Sequence, residues 1–380
     1  MHIAWLGKKS PFCGNVTYSR EITNGLLDRG HQVSFLHFAE EENDPDSWPG
    51  YQEVPLPFLY KSQVYTIPTL KASRILTQSL EELRPDIVHA SLTLSPLDFL
   101  LPDICAELNI PLVATFHTPF GGKRRNIKSS TQLLSYQLYA PFLAKYNRVI
   151  IFSEEQREIL TRMGLLAENV AVIPNGVDAN KYSPGHSRIK TKFNAKQLFV
   201  YQGRIATEKN VESLLRGWKQ AEMGLDTRLL IVGDGPLRPS LEPFYGLDSG
   251  IIWLGAIADD RERIEILRGA DGFILPSLVE GLSLSLLEAM ACGVACIATD
   301  AGADGEVLAG VGVVLDTQGV AGQLRTILPV FRDHPEMSKI MGQKCRDRVL
   351  ESYTLDGNIN LVEQLYQNLL SQPRMSLKVS

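Results

Sequence analysis

The sequence predicts an α/β protein built from two doubly wound parallel-sheet domains facing each other across a cleft. Three observations carry this. Short apolar runs alternate with amphipathic stretches almost throughout, the pattern of parallel strands covered by helices on both faces. The 380 residues suffice for two domains of ordinary size, each with its own core. Hydrophobic residues at 44% and charged residues at 21% are ordinary globular composition, which argues against a disordered chain.

Taken in order, the strand-like runs of the first half are HIAWL, HQVSFLHF, DIVHA, PLVATF and RVIIFS. Those of the second half are LFVYQG, RLLIVG, IIWLG, GFILPS and ACIATD. The segment 180–196, with Lys181, Pro184, Gly185 and no apolar period, reads as the seam. One domain is therefore expected over 1–182 and a second over 195–349. Residues 350–380 are expected to form a helix and tail whose amphipathic stretch, 355–370, could pack on either domain. In folds of this kind ligands bind outside the carboxyl ends of the strands.

Bulk properties exclude several function classes. A net charge of -5 gives no reason to expect nucleic acid. The five cysteines include no CxxC pair and read as reduced, buried thiols. The opening MHIAWLGKKS is too short and too quickly polar for a signal peptide and reads as a first strand. No charge-free apolar window of about 18 residues is present, so a spanning helix is not expected.

The strongest candidate site is FILPSLVEGLSLSLLEAMACG. A strand ends at Pro276, a loop follows, and Ser283 is a good N-cap for a helix. The amides of Leu284, Ser285 and Leu286 would point out of the helix start, an end that carries roughly half a positive charge and binds phosphate. Glu288 lies one turn in and could accept bonds from sugar hydroxyls. Glu280, in the loop with Gly281 and Leu282, could hold a second sugar beyond the diphosphate. An isolated glutamate pair is more often a solvated loop residue and a helix-face charge. Here Leu286, Leu287, Ala289 and Met290 make the surroundings of Glu288 apolar, which weakens that alternative. The pattern suits a nucleotide sugar.

A second constellation is YQGRIATEKNVESLLRGW. A strand ends at Gly203, and Thr207 could cap a helix with Val211, Leu214, Leu215 and Trp218 on its apolar face. Arg204 and Lys209 then stand at a strand end and a helix start, where cations are disfavoured unless an anion binds. A departing diphosphate needs such charge. His117, just past the strand in LVATFHTPF, is as often structural as functional in such a place. Gly14, in GKKSPFCGNVTYSREITNGLL, permits close backbone approach at a strand–loop–helix turn. VIPNGVD and GDGPLRPS are turn signals. Asp44 and Asp46 are the only metal-like cluster, in an acidic loop without histidine, so no metal and no other cofactor is expected.

Together EGLSLSLLEAMACG, GRIATEKN, PNGVD and GDGP resemble the retaining GT-B glycosyltransferases, the family that includes sucrose-phosphate synthase and mycobacterial mannosyltransferases, with two Rossmann-like domains. The resemblance spans nearly the whole chain. It implies that Glu280 contacts the transferred hexose, Glu288 the ribose, Arg204 and Lys209 the diphosphate, and His117 the hexose near its reacting carbon. It also implies a metal-free front-face substitution. The chain departs from the family at Gly14-Asn15, where Gly-Gly is common. It departs again at Gly281-Leu282-Ser283, which lacks the phenylalanine usual after the first glutamate. The opening 27 residues are similar to cyanobacterial digalactosyldiacylglycerol synthases, which implies UDP-galactose as donor and monogalactosyldiacylglycerol as acceptor.

A lipid acceptor has some independent support. Residues 108–153 contain no acid, while Lys123, Arg124, Arg125, Lys128, Lys145 and Arg148 are basic and interleaved with Tyr136, Tyr139, Phe142 and Tyr146. That suits a peripheral protein on the cytoplasmic, anionic face of a membrane, each basic residue contributing about 1 kcal/mol. An ordinary core helix with a charged outer face fits equally well. A glycosyltransferase acting on a soluble sugar or polysaccharide precursor, a nucleotide-sugar epimerase and a non-catalytic sugar-nucleotide sensor are the rival readings.

Overall fold

The computed structural model describes residues 1–10, 13–38, 52–62, 65–92, 94–118 and 127–371, with side chains from residue 134 onward in the last span. The chain divides into two compact units. The first comprises Met1–Thr118, Ser130–Pro174 and the chain from Asp356 on; the second includes Asn175–Leu355.

The first unit holds β1 (His2–Gly7), β2 (Gln32–His37), β3 (Gln52–Pro55), β4 (Phe58–Lys61), β5 (Thr66–Pro68), β6 (Ile87–Ser91), β7 (Leu112–Thr115), β8 (Arg148–Ile151) and β9 (Val170–Val172). Seven of these form a parallel sheet in the order β3-β2-β1-β6-β7-β8-β9, and β4 and β5 pair antiparallel as a separate hairpin. The second unit holds β10 (Gln197–Gln202), β11 (Thr227–Val232), β12 (Ile251–Gly255), β13 (Gly272–Leu275), β14 (Ala295–Thr299) and β15 (Val313–Leu315), a parallel sheet in the order β12-β11-β10-β13-β14-β15. Central strands such as β6, β13 and β14 are buried at every residue. That requirement explains why their sequences are mostly apolar, with few polar positions such as His89, Ser91 and Thr299. Strand order reverses between β1 and β6 in one unit and between β10 and β13 in the other, so each sheet has one switch point at its carboxyl edge.

The two-domain α/β class is as the alternation predicts, and all ten expected strands are present. The short edge strands β3, β9 and β15 and the β4–β5 hairpin had no long apolar run to reveal them. The division between units falls at Pro174–Asn175, ahead of the expected seam at 180–196. The intervening segment is fastened to the second unit by buried Tyr182 and Ile189, by Lys181 to Asp260 (2.5 Å) and by Lys190 to Asp271 (2.7 Å). Its lack of periodicity reflects this side-chain anchoring.

Helix Leu355–Ser371 belongs, from Asp356, to the first unit. Ile359, Val362, Tyr366 and Leu369 form its buried stripe at helical spacing. A side chain at Gly25 would meet the end of the Ile359 side chain, so the helix Gly14–Asp28 packs closely on this helix there. Arg29 bonds Glu363 (2.8 Å) and Asp356 (2.5 Å), and the Glu363 carboxylate also meets His31 (3.0 Å). At the centre, Tyr366 Oη hydrogen-bonds His89 Nδ1, His89 Nε2 bonds Thr115 Oγ1 (2.8 Å), and Trp5 stacks on the His89 ring at 4.0 Å. Replacing Tyr366 by Phe strands His89 Nδ1 in a dry pocket. The expected loss is about 1–3 kcal/mol of stability, read from the urea midpoint; a wild-type midpoint would show the contact to be neutral.

Candidate donor site

The loops after β10 and β13 flank the switch point of the second unit, and they carry the residues singled out from the sequence. Lys209 Nζ forms an ion pair and hydrogen bond with Glu280 Oε1, which also accepts from Ser277 Oγ (2.8 Å). The loops are tied by their backbones too: Leu278 N–H donates to the Glu208 carbonyl (2.8 Å), and Asn210 Nδ2 donates to the Pro276 carbonyl (3.2 Å). Asn210 sits at φ 51°, a left-handed position that Asn accepts more readily than most side chains. Helix Val211–Gln220 starts only after it, with Val211, Leu214, Leu215 and Trp218 buried as the spacing predicts. Thr207 does not cap that helix. Residues Thr207–Lys209 form a separate 3₁₀ turn, which places Lys209 against Glu280 instead of in a helical first turn. Arg204 lies half-exposed at the end of β10, with Glu208 3.8 Å from its guanidinium.

Helix Leu284–Ala291 follows the β13 loop, and Ser283 caps it by accepting from Leu286 N–H (3.4 Å). The cap thus occupies one of the three amides expected to be open, leaving those of Leu284 and Ser285 at the helix start. The loop before it is held from several sides. Asn175 Nδ2 donates to the Leu282 carbonyl (2.8 Å), Ser283 N–H to Asp304 Oδ1 (2.8 Å), Ala303 N–H to the Gly281 carbonyl (2.7 Å), and Thr299 Oγ1 to the Ser277 carbonyl. A side chain at Gly302 would overlap the Glu280 and Gly281 carbonyls. The GDGP loop packs in the same close manner, since side chains at Gly233 and Gly235 would overlap the Gly203 and Ile205 carbonyls. These glycines allow backbone to lie on backbone at the mouth of the site.

Electrostatics follow from this packing. Burial works against the Lys209 charge, but the attraction and hydrogen bond of Glu280, with Asp304 and Glu208, hold its ammonium above its ordinary pKa. Burial, with the Glu280 charge beside it, pushes the Asp304 carboxyl well above its ordinary range. Glu288 is buried and accepts from Gln202 Nε2 (2.7 Å). Burial raises its pKa, opposed by Arg263 and by hydrogen bonds from Tyr182 and Gln202. Ser277, Asp304, Gln202, Tyr182, Arg263 and Asn175 are therefore parts of the site that sequence reasoning missed. Ser277, Gln202 and Asn175 stood inside segments the sequence singled out, but nothing in their spacing marked them; Asp304, Tyr182 and Arg263 lay outside those segments.

In the first unit, His117 follows β7 and its Nε2 hydrogen-bonds Ser91 Oγ (2.9 Å) at the end of β6. Tyr18 meets the ring edge-on at 4.9 Å, and Phe152 lies 5.4 Å away. Gly14 begins the helix Gly14–Asp28, with open space where a side chain would stand. The tyrosines of the basic–aromatic segment are core residues. Tyr136, Tyr139 and Tyr146 are buried, with hydroxyls on the Thr118 carbonyl, Asp98 Oδ2 and the Asp98 carbonyl, each at 2.9 Å. Lys145 pairs with Asp103 (2.9 Å). Lys123, Arg124, Arg125, Asp44 and Asp46 lie outside the described residues, as does the side chain of Lys128. Among the described residues no group of three His, Cys, Asp or Glu side chains gathers as a metal site, and no helix is long and apolar enough to cross a membrane.

Residues 13–181 match Glycosyltransferase Family 4, and residues 196–329 match Glycosyl transferases group 1. The chain is a GT-B glycosyltransferase of this family. It is 27% identical over 319 residues to the Escherichia coli UDP-Gal:alpha-D-GlcNAc-diphosphoundecaprenol alpha-1,3-galactosyltransferase, covering 80% of this chain and 81% of that one. It is also 27% identical to the Bacillus anthracis N-acetyl-alpha-D-glucosaminyl L-malate synthase, covering 94% of each. The solved sucrose-phosphate synthase of Thermosynechococcus elongatus shares its fold, with a TM-score of 0.79 at 21% identity over 97% of this chain and 99% of that one.

The surroundings of His117 make a testable statement about this glycosyltransferase. Burial, with the Lys8 charge nearby, pushes its imidazole down from 6.5 to about 3. A depressed pKa means that its contribution to stability is complete above pH 6.5 and is lost as pH falls toward 3. NMR of ring-labelled histidine should show His117 neutral throughout pH 5–8; a titration near 6.5 would contradict this environment.

Proposed function

We propose that this glycosyltransferase is a retaining, metal-independent hexosyltransferase that uses a UDP-sugar, UDP-galactose in the first instance, and a membrane glycolipid acceptor such as monogalactosyldiacylglycerol. The Lys209–Glu280 pair at the β10/β13 switch, beside the start of helix Leu284–Ala291, is the observation that carries the donor half of the reading. The diphosphate would lie on the Leu284 and Ser285 amides, with Arg204 and Lys209 supplying positive charge. Glu288 would accept from the ribose hydroxyls and Glu280 from the hexose. The bond from the anomeric carbon to the β-phosphate oxygen breaks with its electron pair on the phosphate. The acceptor hydroxyl oxygen bonds to that carbon from the same face, and its proton passes to a phosphate oxygen. His117, held neutral, would contact the hexose near its reacting carbon, as the family resemblance implies.

The lipid half rests on the resemblance of the opening segment and on the E. coli relative, whose name gives a lipid-linked acceptor. The Bacillus relative, named for a product on malate, supports a soluble acceptor as the second reading. The protein should be incubated with a panel of labelled UDP-sugars and either a total lipid extract or soluble sugars and hydroxy acids. Label is expected in the lipid phase, with UDP-galactose giving the highest rate. Product only in the aqueous phase would replace the lipid reading.

Glu280→Gln and Lys209→Met should each lower kcat at least ~100-fold. The ion pair is 21% exposed on its lysine side, so Lys209→Met should also cost about 1–3 kcal/mol of stability, less than a fully buried pair. Turnover at the wild-type rate in Glu280→Gln would overturn the assignment. Activity should survive EDTA, and its loss would overturn metal independence.

A further inference from the structure

The β4–β5 hairpin stands apart from the seven-stranded sheet of the first unit, and its two sides differ. One side is fastened. Lys61 Nζ donates to Ser10 Oγ and to the Phe38 carbonyl (2.8 Å each), and Lys8 Nζ donates to the Ser62 carbonyl (3.3 Å). Thr66 is buried, and backbone bonds from Leu56 to His37 (2.7 Å) and from Thr69 to Pro57 (3.1 Å) hold the roots. The other side carries Leu59, Tyr60, Tyr65 and Ile67, which are 74%, 50%, 44% and 41% exposed, with Leu70 at its foot 100% exposed. Tyr60 and Ile67 are cross-strand partners, and the Tyr60 and Tyr65 rings lie 5.5 Å apart. A two-stranded ribbon owes its stability to what it packs on, and here that is the fastened side. The outer apolar face does nothing for the fold, and clustered exposed apolar groups mark an interaction surface.

The charge around this face indicates its occupant. The hairpin and the chain running from it to residue 80 contain no Asp or Glu, while Lys61, Lys71 and Arg74 are basic, the last two exposed; Glu53, paired with Lys9, and the exposed Glu81 and Glu82 bound this stretch. Leucine and isoleucine suit the acyl boundary of a bilayer, tyrosines its interface, and flanking cations its phosphates. A second copy of this chain would bring the same basic frame against itself, which disfavours self-association. We propose that the outer face of this hairpin docks the first unit on an anionic bilayer. This deepens, and rests on, the lipid-acceptor reading. Helix Ile127–Leu143 keeps Tyr136 and Tyr139 in the core, while its Leu134 and Leu138 are exposed.

The test is flotation of the full chain with phosphatidylcholine vesicles, with and without phosphatidylglycerol, in the absence of donor. Partition is expected to be at least about tenfold stronger on the anionic vesicles. The triple variant Tyr60→Ser, Ile67→Ser, Leu70→Ser should lose at least about tenfold, and Lys71→Glu with Arg74→Glu should abolish the anionic preference. Both variants should keep the wild-type melting temperature and UDP-sugar binding, because the substituted side chains are exposed and lie outside the second unit. Unchanged partition in the triple variant, or equal binding of the wild type to both vesicles, overturns the proposal. So does a variant that alters self-association and leaves vesicle partition intact. With no donor present, a failure here is distinguishable from a failure to find a lipid product.

Discussion

The candidate donor site depends on one constraint: the loops after the neighbouring strands β10 and β13 must stay together beyond the last pairing of those strands, Val200 with Phe273. Lys209 and Glu280 meet that requirement with opposite charges, and the bonds from Leu278 to Glu208 and from Asn210 to Pro276 fix the spacing. Everything nearby is arranged around this pair. Ser277 orients Glu280, Asp304 and Ser283 set the helix start, and Gly302 lets a neighbouring loop close on the Glu280 carbonyl. Charge is thereby placed before any ligand arrives, which is what preorganised stabilisation of a leaving group requires.

Much of this was legible in the sequence, for definite reasons. Strands buried on both faces are mostly apolar, so β1, β6, β10 and β13 stood out as apolar runs. The Ser283 cap and the burial of Glu288 followed from helix chemistry and from the apolar residues around that glutamate. The turn at Thr207–Lys209 did not, because its geometry is set by the Asn210 backbone and by contacts with the β13 loop, far away in sequence. The roles of Gln202, Tyr182 and Asp304 were not legible either, although Gln202 lay inside a segment that was singled out. Each acts through a partner more than 20 residues distant, and no local period records that. The aromatic residues at 136–146 show the opposite failure. Their composition fits a membrane face, but their hydroxyls find Asp98 and Thr118 inside the core.

The two units thus divide their chemistry by type. The second concentrates paired charges and free backbone amides at the ends of β10 and β13. The first holds His117, its imidazole pushed down by burial, among aromatic rings and fastens the β4–β5 hairpin through Lys61 and Lys8. Lys8 serves both ends of that arrangement, since it bonds the hairpin and its charge helps hold His117 unprotonated.

The pairing of Tyr366 with His89 spans 277 positions, and the second unit lies between them in the chain. The first unit is therefore assembled from both sides of an insertion. During synthesis its sheet can form early, but the pocket under Trp5 and His89 stays uncovered until helix Leu355–Ser371 has left the ribosome. Closing so long a loop costs little more than closing a shorter one, provided the segment between has already collapsed. The stretch Asn175–Leu355 of the second unit would then act as the clamp that shortens the search, and slow folding of it would expose the core of the first unit to chaperones or proteases.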